Sequence, residues 1–102
     1  MEFNNLPKNA IIREVRPRDG FQSVKEFIPT EKKIEFINAM LATGVKEMEI
    51  TSFVSPKAIP QLADAKDVLP AVKAANPGVE FTALVPNLKG AEGALAAYKA
   101  AL

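Results

Sequence analysis

Glu49 is the residue of this sequence whose setting raises the sharpest chemical question. Residues 45–51 alternate as a half-buried strand does, with Met48 and Ile50 on one face and Glu47, Glu49 and Thr51 on the other. If Met48 and Ile50 pack against helices, Glu49 points inward. A carboxylate drawn out of water is costly unless it is paired or holds a cation. Two readings follow: a salt bridge to a basic residue such as Arg18 or Arg13, or a carboxylate that serves catalysis. Ser52 stands just beyond it. A second polar cluster, Arg18-Asp19-Gly20-Phe21-Gln22, follows an earlier apolar run. It reads either as a solvated turn, because Asp-Gly pairs favour turns, or as a functional cluster at a strand end. Asn87, after a third run, reads most simply as a helix cap. Lys25 and Lys57 lie in long loops. Loop lysines are ordinarily solvated, yet both would rim the same mouth, where an anionic substrate could arrive. The five glycines are scattered and form no phosphate-binding motif.

What is missing narrows the chemistry further. The 102 residues include no histidine and no cysteine, so the chain cannot supply a Cys/His zinc site, a Ser–His–Asp triad or a thiol nucleophile.

These side chains need elements to position them. Residues 10–15 read as the first strand, closed by Pro17, which has no N–H for a ladder. A polar loop is expected over residues 18–29. Thr30 can cap a helix carrying Ile34, Ile37 and Leu41 on one stripe, with Met40 beside them. Gly44 sits where a left-handed helix end is expected. Residues 52–60 read as a loop. A second helix runs to about residue 75. Asp67 can cap it, which puts Pro70 in the first turn, whereas a start near Asp64 would leave Pro70 to kink it. A third strand spans residues 79–85 and ends at Pro86. A third helix covers residues 90–102, with Leu95, Tyr98 and Leu102 on one side.

The order is βαβαβα, the pattern of parallel strands joined by right-handed crossovers. A (β/α)8 barrel needs eight such units in about 250 residues. The chain is therefore either a small open sheet or the first three units of an incomplete TIM barrel, a single N-terminal fragment over residues 1–102. In both, sites form at the C-terminal ends of the strands. Composition agrees with a globular domain: 48% hydrophobic and 25% charged residues, net charge +1. That balance makes no electrostatic case for nucleic acid. No apolar run approaches the roughly 20 residues of a membrane span. The N-terminal residues 1–9 resemble neither a signal nor a transit peptide, so a cytoplasmic protein is expected.

Three motifs in order resemble those of the 3-hydroxy-3-methylglutaryl-CoA lyase family. They are Glu14-Val15-Arg16-Pro17-Arg18-Asp19-Gly20-Phe21-Gln22, then Glu49-Ile50-Thr51-Ser52-Phe53-Val54-Ser55-Pro56-Lys57 with Pro60-Gln61, then Val85-Pro86-Asn87-Leu88-Lys89-Gly90. Related condensing and carboxyltransferase enzymes share Arg-Asp-Gly and a downstream Glu, but Ser-Phe-Val-Ser-Pro-Lys points to the lyase branch. The resemblance implies metal-dependent retro-Claisen cleavage of a 3-hydroxyacyl-CoA. It implies Asp19 as a ligand of Mg²⁺ or Mn²⁺, Arg18 as the stabiliser of the enolate, and Glu49 as the carboxylate that orients the site. Gln22, Ser52 and Lys25 would meet substrate, Lys25 near the CoA phosphates.

Two departures bear on the substrate. Ser23-Val24 stand where the lyases usually carry Asn-Glu, and Arg16 stands in place of a usual glycine, so a related 3-hydroxyacyl-CoA fits as well. The family's metal is completed by a His-x-His pair and its catalysis by a later cysteine, and this chain holds neither. The competing reading is a non-catalytic parallel-sheet module whose strand edges drive association of identical chains. On either reading the chain by itself is expected to show no lyase turnover and to associate or unfold, because bare edges remain open. Acyl-CoA cleavage by a purified monomer ending at Leu102, its mass verified, would contradict this.

Overall fold

The computed structural model describes residues 5–101. Strands β1 (Arg13–Glu14), β2 (Glu47–Ser52) and β3 (Glu80–Leu84) alternate with helices α1 (Thr30–Leu41), α2 (Ala65–Ala75) and α3 (Leu88–Ala100). The strands pair in parallel in the order β1-β2-β3. Each helix returns the chain so that the next strand starts in the same direction. Helix α2 packs against both α1 and α3. Between sheet and helices lie Ile37 and Leu41 of α1, Met48 and Ile50 of β2, Val68, Leu69 and Val72 of α2, and Ala97 of α3. Met48 and Ile50 therefore face the helices, as the alternation requires. Apart from Ala97, each of these buried side chains contributes about 1.5–3 kcal/mol relative to exposure. Among the described residues no helix is long and apolar enough to cross a membrane.

Several boundaries depart from the sequence expectation. β1 keeps only Arg13 and Glu14, opposite Glu47 and Met48. Ile11 and Ile12 precede the start of β2, pair with nothing there, and are 80% and 70% exposed. In β2 the step from Glu49 to Thr51 matches a single step of β3, from Thr82 to Ala83. This bulge interrupts the alternation, so Ile50, Thr51 and Ser52 are all buried. The expected polar loop after β1 instead opens with a π-helical turn, Arg16–Gly20, in which the Phe21 N–H donates to the Arg16 carbonyl. Pro17 sits in its first turn, where a missing N–H costs nothing.

The helix caps differ too. Pro29, not Thr30, holds the cap position of α1, and the Thr30 hydroxyl donates to Asp64 Oδ2 at 2.7 Å. α2 begins at Ala65 with Asp64 at its cap position, so Asp67 lies inside the helix and does not cap it. The Asp64 carboxylate is drawn away to Lys33 and Thr30 and caps nothing. Pro70 thus falls within α2 and has no N–H for the Lys66 carbonyl one turn earlier. Gly44 takes φ +97°, as expected beyond a helix end. Asn87 caps α3 as expected, accepting from the Gly90 N–H at 2.8 Å.

The packed face of α3 is its small-residue face. Gly90 and Ala97 are buried, whereas Leu95 and Tyr98 are exposed, and Leu102 lies outside the described residues. Phe53, just after β2, explains this choice. An added Cβ on Gly90 would collide with the Phe53 carbonyl oxygen, and one on Gly93 would crowd its ring at 3.3 Å. Gly90→Ala should therefore destabilise the chain by about 1–3 kcal/mol. That holds even though alanine is the better helix former by about 1 kcal/mol. Equilibrium denaturation checks this, and a neutral or stabilising result would contradict the close approach.

The turn out of β1 is fastened by one carboxylate. Glu14 Oε1 accepts from the Arg16 backbone N–H at 3.0 Å and from Arg16 Nε at 2.7 Å, and Oε2 accepts from Nη2 at 2.7 Å. The Arg16 guanidinium and N–H hold the Glu14 carboxyl down from 4.5 to about 2. A depressed carboxyl contributes stability above its ordinary value and loses it as pH falls. The contribution should be complete above pH 4.5 and gone near pH 2. A carboxyl-resolved NMR titration should place Glu14 near pH 2, and Arg16→Ala should return it to the ordinary range. An ordinary midpoint with Arg16 in place would contradict the assignment.

Candidate functional site

At the point where β1 ends beside β2, two carboxylates meet one guanidinium. Arg18 Nε donates to Glu49 Oε1 at 2.7 Å, and Arg18 Nη1 lies 3.6 Å from Asp19 Oδ1. The π-helical turn carries Arg18 from β1 to its neighbouring strand, and β2 supplies Glu49. The side chains of Arg18 and Glu49 are 22% and 19% exposed, against 68% for Asp19. The inner pair is thus largely removed from water and joined by a charge-assisted hydrogen bond. The outer carboxylate faces solvent, separated from Glu49 by no more than one guanidinium. Of the two bases weighed for Glu49, Arg18 is the partner. Arg13 instead meets Glu47 at 3.4 Å. Arg18, Asp19 and Glu49 therefore stand together, in the region where parallel α/β sheets build sites.

Gln22 and Lys25 form a separate group. Both are exposed and line a cleft of about 390 Å³, with Val24 and Phe27 beside them and residues 58–61 opposite. Lys57 is exposed and does not line this cleft. Ser52 joins neither group. It is 1% exposed, and its hydroxyl donates to the Leu84 carbonyl at 3.1 Å, fastening β2 to β3.

Sequence reasoning missed the charged network beneath the cleft. Lys33 is 2% exposed. Its ammonium donates to Asp64 Oδ1 at 2.7 Å and to the Gln61 carbonyl, and stands 4.2 Å from the centre of the Phe27 ring. Asp64 also receives the Thr30 hydroxyl. Among the described residues no buried side-chain nitrogen or oxygen lacks a partner. The available signal was spacing. Lys33 precedes the buried Ile37 and Leu41 at four-residue intervals, on the same side of α1.

Of the residues expected at a metal, Asp19 alone could offer a ligand. Asp19 offers an accessible carboxylate, and Glu49 is committed to Arg18. Among the described residues no three His, Cys, Asp or Glu side chains gather to hold a metal ion. A six-coordinate Mg²⁺ would need most of its ligands from elsewhere.

No protein-family model matches the chain. Individual proteins do. The mitochondrial hydroxymethylglutaryl-CoA lyase of Arabidopsis thaliana is 49% identical over 92 residues, covering 90% of this chain and 19% of its own length. The cytoplasmic 3-hydroxy-3-methylglutaryl-CoA lyase of Rattus norvegicus is 46% identical over 96 residues, covering 94% of this chain and 28% of its own. Relatives thus include both mitochondrial and cytoplasmic forms. The structure of such a lyase from Acinetobacter baumannii, solved with coenzyme A and 3-methylmalate, superposes with a TM-score of 0.80 at 42% identity. It covers 86% of this chain and 28% of that one. The chain spans well under a third of these proteins. Over nine-tenths of its residues it matches the N-terminal portion of hydroxymethylglutaryl-CoA lyases.

Proposed function

We propose that this chain supplies the opening β/α units, and part of the active site, of a (β/α)8 lyase that cleaves a 3-hydroxyacyl-CoA. The Arg18–Glu49 ion pair, with Asp19 at its solvent side, carries the reading. In a retro-Claisen cleavage the 3-hydroxyl gives up its proton and its carbon becomes a carbonyl. The C2–C3 bond breaks, and its electron pair passes to C2 as the enolate of the departing acyl-CoA, which is then protonated. The enolate oxygen needs a fixed positive group, and a preorganised donor there is worth about 10²–10³ in rate. Arg18 fits that task because Glu49 holds its Nε, fixing the plane of the guanidinium, while Nη1 stands 3.6 Å from Asp19 Oδ1 at the solvent side. Asp19 would contribute one oxygen to a divalent cation, Mg²⁺ or Mn²⁺, whose charge would favour loss of the hydroxyl proton. Gln22 and Lys25 line the cleft along which the acyl-CoA lies, with Lys25 toward its phosphates. Ser52 serves the sheet.

The test joins residues 1–102 to the remaining barrel of the Acinetobacter baumannii lyase and measures release of acyl-CoA from hydroxymethylglutaryl-CoA. Metal-dependent turnover should appear. Arg18→Ala should lower kcat about 10²–10³-fold. Asp19→Asn should weaken activation by the metal. A folded chimera whose turnover is indifferent to both substitutions would contradict the assignment.

A further inference from the structure

Gln61 makes contacts that the roles above leave unused. It is 5% exposed. Its Oε1 accepts from the Ile28 N–H at 2.8 Å, and its Nε2 donates to the carbonyls of Glu26 at 2.7 Å and Val24 at 3.0 Å. One side-chain amide thus ties three alternate residues of a segment that is neither helix nor strand. The Gln61 carbonyl in turn accepts from the buried Lys33 ammonium, which Asp64 also holds and which caps the Phe27 ring. Lys25 stands between the two tethered carbonyls, and Phe27 between the last two tethered residues. Both face the cleft that Gln61 helps to line from the opposite wall. The clamp therefore fixes the cleft's width and the root of its cation together.

We infer that Gln61 is a positioning residue that holds Lys25 in place for the acyl-CoA. This rests on the proposed function, and specifically on Lys25 meeting the coenzyme. The amide carries two N–H donors beside one carbonyl acceptor, the set that two carbonyls and one N–H require. Gln61→Glu keeps the size but sets carboxylate oxygens against two carbonyl oxygens. Gln61→Met keeps the volume and removes every hydrogen bond.

The experiment uses the completed enzyme described above, with coenzyme A as the probe. Dissociation constants come from calorimetry, and peptide-resolved hydrogen exchange covers residues 24–28. Both Gln61 variants should weaken coenzyme A about tenfold. They should raise KM by a similar factor, leave kcat within about twofold, and speed exchange in residues 24–28 but not in α1 or α2. Lys25→Met should weaken coenzyme A comparably, and adding Gln61→Met to it should weaken it little further. Unchanged coenzyme A affinity, exchange that rises throughout the protein, or full additivity with Lys25→Met would each overturn the inference. Loss of turnover in the parent chimera with coenzyme A binding intact would overturn the lyase reading and leave the affinity test of Gln61 standing.

Discussion

An arginine and a glutamate drawn partly out of water must find each other, and the β1–β2 junction is arranged around that requirement. Arg18 and Glu49 are 31 residues apart and meet at 2.7 Å. Leaving either charge unpaired in such a setting would be unfavourable. The geometry that joins them comes from both sides. Glu14 captures Arg16 and closes the exit from β1, and a π-helical turn then places Arg18 over the neighbouring strand. The parallel pairing of β1 with β2 brings Glu49 alongside. Asp19, next in sequence, is left at the solvent side of the same guanidinium. Fixed cation, half-buried anion and accessible anion are thus set in one small space by local backbone geometry.

A second ion pair shows the contrast between holding a fold and offering a site. Lys33 and Asp64 are almost fully buried, and they are satisfied by Gln61, Thr30 and each other. Their effect is to lock α1 to the start of α2 and to anchor the residue that restrains residues 24–28. The Arg18 cluster is less buried and less saturated, and there a carboxylate remains open to solvent. The Lys33–Asp64 pair belongs to the scaffold, and the Arg18–Glu49 pair is the candidate site.

The alternation of strands and helices was legible because it rests on periodicity. Met48 and Ile50 reached the helix side as their spacing required, and Asn87 capped α3. The Arg18, Asp19 and Glu49 cluster was legible because strand ends converge in a parallel sheet. Features set by a distant partner were not. Ile11 and Ile12 have strand character, but β2 begins too late to pair with them. Thr30 and Asp64 have capping side chains, but Lys33 draws both into its own network through Asp64. The bulge in β2 is a property of its register against β3, which no window of β2 contains. The small face of α3 answers to Phe53, nearly forty residues earlier. A buried lysine contradicts the residue's usual preference, and only its place on the Ile37–Leu41 side of α1 hints at it.

In the proposed cleavage Glu49 acts by holding Arg18, so that the two behave as a unit. A double-mutant cycle on kcat/KM in the barrel-completed enzyme tests this most directly, with Arg18→Ala, Glu49→Ala and both together. Strong non-additivity is expected, the double variant being little worse than Arg18→Ala alone and the coupling amounting to about 1–3 kcal/mol. Effects that add to within about 0.5 kcal/mol would mean that the two side chains work independently, and would contradict this.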